Sequence, residues 1–162
     1  METICKRLTL LMALLLALGG VAAAETPNPR QEMESAAQVE ARLGFAVAAP
    51  ENVEAEYAVI GGSTGEATFQ VDQIACTLRA ARTQDDISGL FMEMSEPVEE
   101  EHAAGEDVVS VAHRATEENG GYDVYAWFVD DVQYCLVLHG EASVMIAGEI
   151  LEGVLEACAA AQ

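Results

Sequence analysis

Beyond Lys6 the chain contains no lysine. Apart from Arg7, its arginines are Arg30, Arg42, Arg79, Arg82 and Arg114. Glu2 is one of the 28 acidic residues, so from residue 25 onward 27 carboxylates face five arginines, a net charge of −22. A field of that sign repels nucleic acid and anionic lipid and favours solubility, which excludes both as partners. The acids are scattered and Glu outnumbers Asp, so no calcium-binding loop is indicated. Cys-x-x-Cys is absent, which disfavours a thiol redox role. The histidines form no ligand pair by spacing: His102 lies in an acidic stretch, and His113 and His139 lie in strand-like segments. No metal site and no cofactor are expected.

What is present begins with an export signal. Lys6-Arg7 precedes an apolar run from Leu8 to Leu18, Gly19-Gly20 breaks it, and Val21-Ala22-Ala23-Ala24 supplies small residues for cleavage after Ala24. The run is shorter than the ~20 residues of a membrane span. Cys5 lies ahead of it, in the wrong place for a lipoprotein. Residues 1–24 are therefore read as a signal peptide, 25–34 as an extended leader and 35–162 as a single α+β domain, secreted or extracytoplasmic. Three cysteines remain, Cys76, Cys135 and Cys158. Their spacings of 59 and 23 residues match no zinc pattern. An odd count in an exported chain predicts one disulfide between two of the three and one free thiol, with all three pairings open.

Hydrophobic periodicity then sets the architecture. Ser35-Ala36-Ala37-Gln38 reads as a capping box opening a short helix, which Gly44 closes. Residues 54–60 are strand-like, and Gly61-Gly62-Ser63-Thr64-Gly65 is a turn. Residues 66–71 and 74–81 alternate with period two around Asp72-Gln73, which predicts a hairpin pairing Val71 with Ile74, Phe69 with Cys76 and Glu66 with Arg79. Residues 83–107 have no clear period and read as a long, partly solvated loop. A strand follows at 108–115. Residues 122–129 and 132–139 form the strongest hairpin, with Val129 opposite Val132, Trp127 opposite Tyr134 and Tyr125 opposite Leu136. Ser143 caps a last helix, whose apolar residues recur at helical spacing through Cys158; Gly148 and Gly153 weaken it. The expected fold is an antiparallel sheet of about six strands with the N- and C-terminal helices packed on one face.

Two patterns could support chemistry or recognition. Gly61-x-Ser63-x-Gly65 has the form of a nucleophile elbow, with His139 as base and Asp130 or Asp131 to orient it. That motif works at a strand-to-helix turn, however, and here a strand follows, so a hairpin loop accounts for the glycines. Tyr125, Trp127 and Tyr134 could line a ligand groove, although paired aromatics on a hairpin more often fill a core. The Glu99–His102 run reads as a solvated charge block.

Asn28-Pro29, Leu43-Gly44-Phe45, Pro50, Tyr57-Ala58-Val59-Ile60, Leu78-Arg79-Ala80-Ala81 and Asp86-Ile87-Ser88-Gly89 resemble the corresponding parts of bacterial extracytoplasmic domains of unknown function. Trp127 and Tyr134-Cys135-Leu136 before a closing helix continue the likeness. Such domains occur in secreted proteins, in lipoproteins and in the outer parts of anti-sigma-factor-like regulators. The resemblance implies an exported α+β domain and brings no catalytic residues. The absence of a second apolar span departs from the membrane-anchored regulators. The expected function is that of a non-enzymatic binding or interaction domain for a protein, peptide or envelope ligand. A small hydrolase using Ser63 and His139 is the alternative.

Overall fold

The computed structural model describes residues 29–116 and 121–161, so the signal peptide predicted over 1–24 lies outside the described residues. One antiparallel sheet dominates. Its strands are β1 (Arg30–Met33), β2 (Ala55–Ile60), β3 (Thr64–Val71), β4 (Ile74–Ala81), β5 (Val98–Ala104), β6 (Asp107–Ala115), β7 (Tyr122–Val129) and β8 (Val132–His139). Helix α1 (Ala36–Leu43) lies between β1 and β2, and α2 (Val144–Ala160) follows β8. The spatial order β1-β2-β3-β4-β8-β7-β6-β5 makes two four-strand meanders, joined where β4 pairs with β8.

Both tight hairpins have the register read from the sequence. Val71 faces Ile74, Phe69 faces Cys76, Val129 faces Val132 and Trp127 faces Tyr134. Asp72 (φ 55°) and Asp130 (φ 53°) take the left-handed conformation that a two-residue turn demands and that Asp tolerates better than most residues. Continuous registers run across all eight strands. One rung, Met33–Tyr57–Ala67–Leu78–Leu136–Tyr125–His113–Val98, faces the helices. The next, Glu32–Ala58–Glu66–Arg79–Cys135–Ala126–Ala112–Glu99, faces the other way. The main core joins the first face to Val39 of α1 and to Ala147, Ile150, Leu151, Val154, Leu155 and Cys158 of α2. Central strand β8 is buried on both faces, which explains its nearly unbroken apolar sequence.

The expectation of about six strands with the N- and C-terminal helices packed on one face is overturned: the described residues form eight strands, α1 packs against β1–β3 and α2 against β5. Both missed strands are edges. β1 falls in the stretch read as leader, and β5 in the stretch read as a solvated loop. An edge strand with solvent on one side needs no period-two apolar pattern, and charged residues on it discourage further pairing. Val98-Glu99-Glu100-Glu101-His102 fits that description, and only its backbone pairing with β6 makes it a strand.

The remainder of the 83–107 stretch is a crossing. Residues 82–97 travel from β4, near the middle of the sheet, to the β5 edge. They pack Ile87, Leu90 and Met94 onto Val124, Cys135 and Val137 of the face away from the helices. Their anchor is ionic. Glu66, only 5 % exposed, accepts bonds from Arg30 Nε (3.1 Å) and Arg79 Nε (2.9 Å). Arg79 Nη1 donates on to the carbonyls of Ser88 (2.7 Å) and Ile87 (3.2 Å). Gly89 is required at this contact: its φ is +73°, and a Cβ there would lie 2.0 Å from Arg79 Nη1.

The helix ends are set locally. Ser143 Oγ accepts from Ile146 N, as expected of an N-cap. Gly44 (φ 75°) closes α1 through its N–H to Glu40 O. Ser35 makes no side-chain capping bond; Gln38 instead reaches back to the N–H of Glu34.

Candidate functional site

The residues singled out for hydrolysis are not assembled. Ser63 sits in the three-residue turn between β2 and β3, and a strand follows it, so its hydroxyl is not presented above a helix N-terminus. Thr64 pairs with Ala81, whereas His139 pairs with Ala75. Six residues of β4 separate those rungs, about 20 Å at strand rise, so Ser63 and His139 lie toward opposite ends of the sheet. Asp130 and Asp131 turn the β7–β8 hairpin, a full strand length from His139, and Asp131 is occupied by Arg82 Nε at 3.0 Å. His139 Nε2 instead bonds Thr77 Oγ1 at 2.9 Å. Burial, reinforced by the charge of Arg79, lowers its pKa.

All three aromatic candidates are buried in the main core, Trp127 on its groove side. Trp127 and Tyr134 stack with centroids 5.4 Å apart. Tyr134 is buried, and its hydroxyl donates to the Ala46 carbonyl at 3.0 Å, which makes it a satisfied core residue. Tyr125 is buried and stacks on His113 at 4.6 Å. Burial, with Asp123 and Glu100 adding to it, pushes its phenol up to about 12. His113 Nε2 meets Asp123 Oδ1 at 2.7 Å, a pairing that sequence reading missed. Its one signal is the register: Asp123 is the diagonal cross-strand neighbour of His113. Glu66 likewise reads as an ordinary residue of a polar strand face, whereas in the fold it is buried between Arg30 and Arg79.

The expected disulfide is absent, and Cys76, Cys135 and Cys158 are all free and buried. Strand parity gives the reason for Cys135. Cys76 faces Leu138, and Cys135 lies three residues before Leu138, so it points to the opposite face. Cys76 and Cys158 share the helix-side core, where each thiol is directed at a backbone carbonyl, of Ile74 and Ala48 respectively. Burial pushes Cys135 up to about 12, with Asp86 adding to the shift, and pushes Cys76 and Cys158 up to about 11. Thiols so raised are poor nucleophiles at neutral pH. Among the described residues no three His, Cys, Asp or Glu side chains converge as metal ligands.

The site with room for a ligand lies elsewhere. A groove of about 1160 Å³ opens between the α1–β2 connector at Ala48–Asn52, the β5–β6 turn and the C-terminal half of α2. Pro50, Val129, Ala157 and Ala159, all partly exposed, give it an apolar lining, with Val109, Trp127 and Leu155 buried behind them. Small residues bring its walls together. At Gly105 (φ +64°) a Cβ would lie 3.1 Å from Ala159 Cβ, and at Gly153 one would lie 3.3 Å from Pro50 Cβ. Glu51, Glu106, Asp107 and Glu156 stand exposed on the rim, and no arginine, lysine or histidine lines the groove. Sequence reading found Trp127 but none of the rim, because the three contributing segments are far apart along the chain.

The class this architecture defines is a single eight-stranded antiparallel sheet with two helices and a crossing segment packed against it. Comparison of the chain with protein-family models, with curated proteins and with solved structures finds no match.

Proposed function

We propose that this chain is an exported, non-enzymatic binding domain, and that its ligand site is the groove backed by Trp127. The observation that carries the reading is the groove itself, an apolar lining ringed by four carboxylates. Ligand sites commonly combine a mostly apolar concavity with a few polar groups that orient the guest. The separation of Ser63 from His139 and the raised thiol pKa values favour binding over covalent chemistry. The Lys6-to-Ala24 pattern and the resemblance to extracytoplasmic domains supply the exported setting.

The test is thermal. The purified chain is melted with panels of peptides, glycans and cell-envelope fragments, beside the Ala157→Phe variant. Ala157 lines the groove and is half-buried, so a phenyl ring there occupies the ligand's space. A ligand at 100 times its Kd stabilises by about 2.7 kcal/mol, which is readily seen as a raised Tm. The reading expects at least one such shift, and expects Ala157→Phe to remove it. No shift with any member of the panels, or a shift that survives the filled groove, would refute it. N-terminal sequencing of the exported product, expected to begin at Glu25, tests the processing.

A further inference from the structure

We propose that the groove's occupant is a short peptide segment of a partner protein in which lysine or arginine flanks an apolar residue. The inference rests on the groove being the ligand site and specifies what that site selects.

Charge complementarity selects a cationic guest. Glu51, Glu106, Asp107 and Glu156 share one rim. Among the described residues none of them has a cationic partner, whereas Arg30, Arg79 and Arg82 are each engaged with a carboxylate elsewhere. Four like charges around one opening repel each other, and a cationic guest relieves that repulsion while an anionic one adds to it. The field of the whole chain, −21 in net charge at full length, draws the same guest toward the surface.

The lining selects an apolar side chain as well. Ala49, Pro50, Val129 and Ala157, all partly exposed, present hydrocarbon inside an acidic opening, backed by the buried Val109, Trp127 and Leu155. A purely polar polycation leaves that hydrocarbon wet, whereas an apolar side chain between two cationic ones reaches it and keeps its charges at the rim. The walls agree with an extended backbone, since Ala48, Ala49 and Ala157 carry no long side chain to obstruct one.

Trp127 is the only tryptophan of the chain and lies buried behind the groove, so its emission reports changes in the wall packed against it. The experiment titrates the full protein with a capped decapeptide of alternating Lys and Leu. Matched Ser–Leu and Glu–Leu decapeptides and spermine serve as comparisons. The Lys–Leu peptide is expected to shift Trp127 emission and to bind at least about tenfold more weakly when ionic strength rises from about 0.01 M to about 0.15 M, as the screening length falls from about 30 to about 8 Å. Joint Glu106→Gln, Asp107→Asn and Glu156→Gln substitution is expected to weaken binding by about tenfold or more, the scale of 1.4 kcal/mol. An equal-charge control, Glu93→Gln with Glu96→Gln and Glu101→Gln, changes exposed carboxylates outside the groove and is expected to leave binding as it was.

The outcomes separate the two levels of the argument. Equal binding of the Ser–Leu peptide, equal loss in the control variant, or spermine binding as tightly as the peptide would overturn the cationic-peptide assignment while leaving the groove as a ligand site. If no probe perturbs Trp127, or if Ala157→Phe leaves Lys–Leu binding intact, the groove reading fails and this inference with it.

Discussion

Replacing Arg79 with leucine removes the cation that ties the 82–97 crossing to the sheet. In the folded protein the Glu66 side chain is 6 % exposed, Arg79 23 % and Arg30 35 %. Breaking a buried ion pair by deleting one partner costs about 3–5 kcal/mol, because the survivor is left charged and poorly solvated. Arg30 stays 3.1 Å from Glu66, which places the cost at the lower end. The lost bonds to Ile87 O and Ser88 O, each of a charge-assisted kind worth about 1.5–3 kcal/mol, share one nitrogen and are partly recovered by water, so they do not add in full. The net expectation is a loss of about 3–4 kcal/mol in urea denaturation, or roughly 10 °C in Tm for a domain of this size. Adding Glu66→Gln removes a buried charge left with only the partly exposed Arg30 as partner and is expected to restore about 1–2 kcal/mol. A local signature accompanies the global one. Cys135 lies beneath Ile87, Leu90 and Met94, so a loosened crossing exposes it to a thiol reagent while Cys76 and Cys158 stay protected in the helix-side core. A cost below about 1 kcal/mol, or further destabilisation by Glu66→Gln, would show that the cluster does not anchor the crossing.

Gly148→Ala is expected to stabilise the protein by about 0.5–1 kcal/mol, because a Cβ there meets nothing within 4 Å, whereas Gly153→Ala gains less against Pro50; paired urea melts decide this. Titration with a thiol reagent is expected to find no fast-reacting cysteine in the native protein and three in the denatured chain from residue 25 onward; one or two in the denatured chain would indicate a disulfide. The folded pKa of His139 lies below its unfolded value, so the unfolded chain protonates first. Its contribution is therefore whole above the unfolded pKa near 6.5 and is lost as pH falls through that value toward the folded one. The stability difference between the parent protein and His139→Gln is expected to shift against the parent between pH 7.5 and pH 5.5, and a pH-independent difference would contradict the assignment.

How much of this molecule can be read from its chain depends on how local the deciding interaction is. The β3–β4 and β7–β8 hairpins were readable to the exact register, because a two-residue turn between period-two segments leaves one pairing that buries a whole face. Both helices were readable from spacing, and the caps at Ser143 and Gly44 are interactions within one turn. β1 and β5 were not, since their reason for being strands is a neighbour's backbone rather than their own side chains. Cys135 parts from Cys76 only because β4 and β8 happen to be neighbours with that register. Glu66 becomes a paired, buried ion only because Arg30 of β1 and Arg79 of β4 converge on it in the folded sheet. The groove draws on segments near residues 50, 105 and 156 that meet nowhere but in the folded sheet. Composition and periodicity dictate charge, element type and local pairing. Which faces are covered, which charges are buried and where a cavity remains follow from contacts between distant segments, and no short-range pattern encodes those.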